Sequence, residues 1–195
     1  MSPDESPTEG SGPSHMAAPG EASTPMHPDV ARARSFAIQA HQGQLYGDGQ
    51  PYWVHLDAVA RLVEPYGSRA QMLAYLHDTI EDTHISNGDI ANDFGIYIAT
   101  CTGMLTDEPG LNRQERKLRS HAKLSRIKGI FELALIVKAA DRLANVRACI
   151  DQGNRRLFTM YQEEHPAFRT AAFRVGLCPD IWKELDALLS YQVHI

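Results

Sequence analysis

Residues Ala74 to Thr83 read AYLHDTIEDT, which places one histidine and three carboxylates, His77, Asp78, Glu81 and Asp82, in a single short stretch. At about 100° per residue, a helix would gather these four side chains inside an arc of roughly 140°. Met72, Leu73, Leu76 and Ile80 fall on the opposite side. The stretch therefore predicts a helix, over about Ala70 to Asp82, with one face to bury and one face that concentrates negative charge beside an imidazole. Three acids at i+3 and i+4 spacing repel one another by a few tenths of a kcal/mol per pair. A purely structural helix would be better served by alternating signs. A divalent cation removes the conflict, because carboxylate oxygens and a neutral imidazole nitrogen are natural ligands for it. The plain alternative is a solvated acidic face that happens to carry a histidine.

The whole 195-residue chain is 43% hydrophobic and 22% charged, enough for one domain with a real core. A formal net charge of −5 gives no electrostatic footprint for nucleic acid. Cys101, Cys149 and Cys178 are widely spaced, odd in number and free of any C-x-x-C pair. That pattern fits reduced, buried thiols in a cytoplasmic protein better than a disulfide framework or a zinc site. No apolar run approaches the roughly 20 residues that span a bilayer, and the N-terminus lacks the regions of a signal peptide. The expected compartment is the cytoplasm, with no membrane partner. The sequence leaves a homo-oligomer open.

Residues 1–27 are rich in Pro, Ser, Gly, Glu and Thr, and are expected to be disordered because they have little apolar surface to bury. Residues 28–195 are expected to form the folded domain. A helix should start at Pro28-Asp29 and end near Gly43. The run LYGDGQPY reads as loop. Further helices are expected over 54–66, 86–95, 96–105, 111–127, 130–150, 155–175 and 181–191, beside the one at 70–82. No useful length alternates as a strand would, so the expected fold class is all-α.

Candidate ligands also lie far from the central stretch. His55 opens the second helix, and Asp141 interrupts the apolar run FELALIVKAADRL. An acid among Leu135, Ile136, Val137 and Leu143 must be paired, metal-bound or turned to a polar cavity. Its structural alternative is an ion pair with Lys138, Arg142 or Arg147. Taken singly, His55 reads as a core or capping histidine and Asn145 as a surface amide. Basic residues cluster in NRQERKLRSHAKLSRIKG, where Arg113 and Arg116 are candidates to meet phosphate and most of the others read as a solvated face.

The motifs H-Q-G-Q (41–44), G-x-P-Y-x-x-H (49–55), L-H-D-T-I-E-D-T (76–83), L-T-D (105–107), E-R-K (115–117) and K-A-A-D-R-L-A-N-V-R (138–147) together resemble the alarmone-hydrolase branch of the HD superfamily. That branch includes the hydrolase domains of RelA/SpoT-type enzymes and free-standing small alarmone hydrolases. The resemblance runs in order over about residues 29–150. It implies a helical bundle of about eight to ten helices around a central metal site. It implies that His55, His77, Asp78 and Asp141 hold one divalent ion, usually Mn²⁺, and that Glu81 and Asp82 are catalytic. The implied reaction removes the 3′-pyrophosphate of (p)ppGpp, leaving GDP or GTP, and Asn145 matches a substrate-contacting asparagine.

The chain departs from the family at the positions that meet the base. An Arg-Lys pair is usual where Tyr46-Gly47 stand here, and Ala148 replaces a threonine; Leu56 and Ala144 are also unusual. Tyr46 can still stack on a base through its ring. The metal and catalytic positions match while the base-reading ones do not, which keeps an adenine alarmone, (p)ppApp, as a second substrate. The alternatives are an HD phosphohydrolase of another nucleotide, such as a nucleoside monophosphate or NADPH, and a nucleotide-binding regulator without turnover. The regulator predicts a lost ligand or catalytic acid, and none is lost.

Overall fold

The computed structural model describes residues 26–190, so the disorder expected for 1–27 concerns residues that, from 1 to 25, lie outside it. Helix α1 (Pro28–Ala40) starts at the expected proline, with His27 accepting the Asp29 N–H. A two-stranded antiparallel hairpin follows, β1 (Leu45–Tyr46) and β2 (Gln50–Pro51). This corrects the loop reading. Strands of two residues are too short to show alternation, and the turn between them uses Gly47 (φ +58°) and Gly49 (φ +98°) in a backbone region that side chains rarely enter. Helix α2 (Trp53–Leu62) stops earlier than expected. Glu64–Tyr66 form a 3-10 turn instead, since Pro65 has no N–H to continue the helix.

The central helix is also broken, which is the main correction to the sequence reading. Helix α3 (Ser68–Leu76) ends before His77, and a separate single turn, α4 (Thr79–Asp82), begins after Asp78. His77 Nδ1 donates to the Ala74 carbonyl at 2.7 Å, and Thr79 Oγ1 to the Leu76 carbonyl, also at 2.7 Å. Side chains thus compete for carbonyls that a continuous helix would reserve for its own backbone. The break changes where the acids point relative to one another, although the stretch stays compact.

Six α-helices complete the described chain. The first five are α5 (Asn87–Phe94), closed by a Ser86–Asp89 capping box, α6 (Ile96–Leu105), α7 (Arg113–Leu124), α8 (Leu133–Asp151) and, after Asn154, α9 (Arg155–Ala172). A last helix, α10 (Pro179–Ser190), ends at the limit of the described residues. The all-α expectation therefore holds apart from the small hairpin. Two helices act as hubs. Helix α3 packs on α1, α2, α6 and α8, while α8 packs on α2, α3, α6, α9 and α10. This is why α8 is apolar on most of its circumference. Cys101, Cys149 and Cys178 are free and buried.

One polar group sits inside this packing away from the acidic stretch. Asp57 accepts from Arg34 Nε and Nη2, both at 2.8 Å, and from Tyr75 Oη at 3.0 Å, joining α1, α2 and α3. Burial opposes ionisation of Asp57, but Arg34 and Tyr75 outweigh it and hold the carboxyl below its usual range. Asp57→Asn is expected to lower stability by about 2 kcal/mol in urea unfolding at neutral pH. A lowered pKa stabilises above the ordinary carboxylate value and fades as pH falls through the depressed one. The gap between wild type and variant should therefore close in acid.

Candidate functional site

The three helices that supply the candidate ligands pack against one another. His55 lies in the first turn of α2, His77 and Asp78 lie where α3 breaks, and Asp141 lies at mid-length in α8. Their polar atoms converge. His77 Nε2 is 2.9 Å from Asp78 Oδ2 and 3.7 Å from Asp141 Oδ1. His55 Nε2 is 3.3 Å from His77 Nε2, 3.4 Å from Asp141 Oδ1 and 3.7 Å from Asp78 Oδ2. Both imidazoles are buried, at 2% and 1% exposure, so this is not the solvated acidic face that the plain reading allowed.

The donor set fits a divalent cation. Because His77 Nδ1 donates to Ala74, the Nε2 lone pair of the neutral ring faces the centre. Burial works against a charged His77, but Asp78 and Asp141 prevail and push its pKa up to about 10. His55 is raised as well: burial opposes it, while Asp141 and Asp78 draw it upward. Both carboxyls are held well below their usual range despite burial, Asp78 chiefly by His77 and Asp141 chiefly by Lys138. The cluster thus draws in positive charge, which a cation supplies while leaving both rings neutral.

Tyr52, just before α2, adds a bridge that sequence reasoning missed. Its Oη is 2.6 Å from Asp78 Oδ2 and 3.1 Å from Asp82 Oδ2, and its ring stacks on His41. One hydroxyl proton serves two acceptors, so a metal-side carboxylate and a candidate catalytic one share a single anchor. Glu81 Oε2 accepts the Asp107 backbone N–H at 2.8 Å. Burial raises the Glu81 pKa, and the charge of Asp107 adds to this against the hydrogen bond from its N–H.

These groups line a polar cleft of about 200 Å³, in which the carboxylates Asp78, Glu81, Asp82 and Asp141 and the amide of Asn145 share the lining with Arg113, Lys117, Lys138 and Arg142. Arg113 is held by Glu164 through a two-pronged pair at 2.7 and 3.2 Å. Arg116 is exposed and does not line the cleft. Lys138 is 3.4 Å from Asp141 Oδ2, so the ion pair weighed as the alternative for Asp141 exists beside the histidine contacts rather than instead of them. Lys117 pairs with Asp107 at 2.5 Å. The motifs L-T-D and E-R-K were the signal for these two; spacing alone could not bring them together. Tyr161 also borders the cleft.

Tyr46 borders the site through both its ring and its hydroxyl. Its ring lies on His55, with centroids 4.7 Å apart and planes at 26°. Its hydroxyl donates to Asn145 Oδ1 at 2.9 Å. Tyr46 also lines a second, more apolar cavity of about 400 Å³, which shares His55 with the cleft and includes Val54, Ala58, Leu62, Ala144 and Ala148. Gln152 covers Gly47 so closely that a Cβ there would lie 2.2 Å from the Gln152 amide nitrogen.

Residues 33–178 match the HD domain family. Among curated proteins, the chain is similar to a probable guanosine-3′,5′-bis(diphosphate) 3′-pyrophosphohydrolase of Synechocystis, with 29% identity over 86% of this chain and 23% of that protein. It is similar also to the guanosine-3′,5′-bis(diphosphate) 3′-pyrophosphohydrolase of Haemophilus influenzae, with 31% identity over 81% of this chain and 24% of that one. The chain therefore spans under a quarter of the length of these relatives. A solved structure, described as a metazoan ortholog of SpoT that hydrolyzes ppGpp, superposes with a TM-score of 0.67 at 21% identity, covering 84% of this chain and 97% of its own. That likeness shows the fold.

Proposed function

Because this chain belongs to the HD domain family, we propose that it is a Mn²⁺-dependent hydrolase that removes the 3′-pyrophosphate of a nucleotide alarmone, (p)ppGpp or (p)ppApp. The observation that carries the reading is a two-histidine, two-carboxylate cluster opening into a cleft that Glu81, Asp82 and several cations also line. His55, His77, Asp78 and Asp141 would hold the ion. When bound, such an ion supplies Lewis acidity toward water and a phosphoryl oxygen.

The chain's own groups account for the rest of the reaction. Glu81, with its pKa raised, is suited to take the proton of the attacking water. Asp82, tied through Tyr52 to Asp78, is suited to orient that water. Bond breaking leaves the ribose 3′ oxygen in need of a proton, which the acid formed on Glu81 can return. Lys117, Lys138, Arg113 and Arg142 balance the charge of the departing pyrophosphate. The nucleoside fits the adjoining apolar cavity beyond Tyr46, where Tyr46 and Ala148 stand in place of the family's base-reading residues. No helix among the described residues is long and apolar enough to cross a membrane.

The test is a parallel assay with Mn²⁺ against ppGpp, ppApp and NADPH, with EDTA as control. Pyrophosphate release from at least one alarmone, abolished by EDTA, is the expected result. Turnover of NADPH alone would move the substrate outside the alarmones. Activity on ppApp without ppGpp would identify the Tyr46, Gly47 and Ala148 positions as the source of base preference.

A further inference from the structure

Tyr46 touches one of the four candidate ligands, His55, and reaches a second, Asp141, through Asn145. Its ring stacks on His55, whose Nδ1 is buried with no hydrogen-bond partner, so the ring is held by aromatic contacts. Its hydroxyl donates to Asn145 Oδ1 at 2.9 Å, and Asn145 Nδ2 donates to Asp141 Oδ1 at 2.6 Å. That carboxylate oxygen is the one aimed at His55 and His77, while Oδ2 faces Lys138. A phenol, an amide and a carboxylate thus form one directed relay that ends at the ligand cluster.

We propose that Tyr46 is a positioning residue of the cation site, fixing His55 by stacking and Asp141 through Asn145. This inference rests on the metal centre proposed above, and it reverses the meaning of the residue. The tyrosine stands where relatives usually carry an arginine, and its hydroxyl and one ring face are already engaged inward. Groups that orient a metal's ligands are typically worth 10–100-fold in affinity.

Tyr46→Phe removes the hydroxyl and keeps the ring. Mn²⁺ titration calorimetry on the full chain should show wild type binding one ion and Y46F binding it about tenfold more weakly. Asn145→Ala should lose a similar factor, and the double variant should lose no more than the larger single effect, because both act through one relay. Melting in EDTA shows whether each variant is folded. Y46F that melts lower but binds Mn²⁺ within twofold of wild type would reduce Tyr46 to a packing residue and overturn the inference, leaving the metal centre intact. Independent, additive losses in the double variant would overturn the relay. Wild type that binds no Mn²⁺ would overturn the metal centre and this inference with it.

Discussion

Asp78→Ala is expected to abolish cation binding and turnover together. Asp78 Oδ2 is the carboxylate oxygen nearest the imidazoles, 2.9 Å from His77 Nε2, and it also accepts from Tyr52. Its removal takes away one of two negative ligands and frees the Tyr52 hydroxyl to turn wholly to Asp82. The loss should exceed the 10–100-fold that follows from deleting a group which only orients a ligand. Melting in EDTA shows whether D78A is folded. Calorimetry and metal content of the purified protein are the readouts. Native Mn²⁺ stoichiometry with full activity in D78A would remove Asp78 from the site. Asp78→Asn is a useful companion: it keeps the shape and the Tyr52 contact while losing the charge, so weak residual binding is expected there.

Much of this site was legible from residue type and spacing. His77, Asp78 and Asp141 are polar groups in strongly apolar surroundings, and such groups need partners wherever the chain folds. The same reasoning found the helices, because their buried stripes recur at helical spacing. What spacing could not show was the break at His77-Asp78. Periodicity reports which face is apolar, and it is blind to a histidine and a threonine taking the carbonyls of the preceding turn. The roles of Tyr52 and Lys117 were equally hidden, because each depends on a partner outside its own helix, whereas the Lys138–Asp141 pair, three residues apart, was open to a reading from spacing. Tyr46 illustrates the limit most clearly. Its ring was read as a group to stack on a base, while its contacts with His55 and Asn145 were invisible to spacing.

Glu81→Gln separates binding from chemistry. Glu81 lies on α4, away from the converging ligand atoms, and its Oε2 accepts the Asp107 N–H at 2.8 Å. Glutamine is nearly isosteric and can keep that bond through its amide oxygen, but it cannot take up a proton. Mn²⁺ affinity in E81Q should therefore stay within about twofold of wild type. The expected loss is in kcat, by roughly 10²–10⁴-fold, with KM little changed, as for removal of a positioned general base. The pH profile adds a second readout. A base must be deprotonated to act, and burial raises the Glu81 pKa, so wild-type activity should decline on the acid side at a higher pH than an ordinary carboxylate would give. In E81Q that limb should disappear from the residual activity. Full turnover with the limb intact would transfer the base to Asp82, whose Oδ2 already lies within reach of the Tyr52 hydroxyl, and would leave Glu81 as the side chain that anchors the backbone at Asp107.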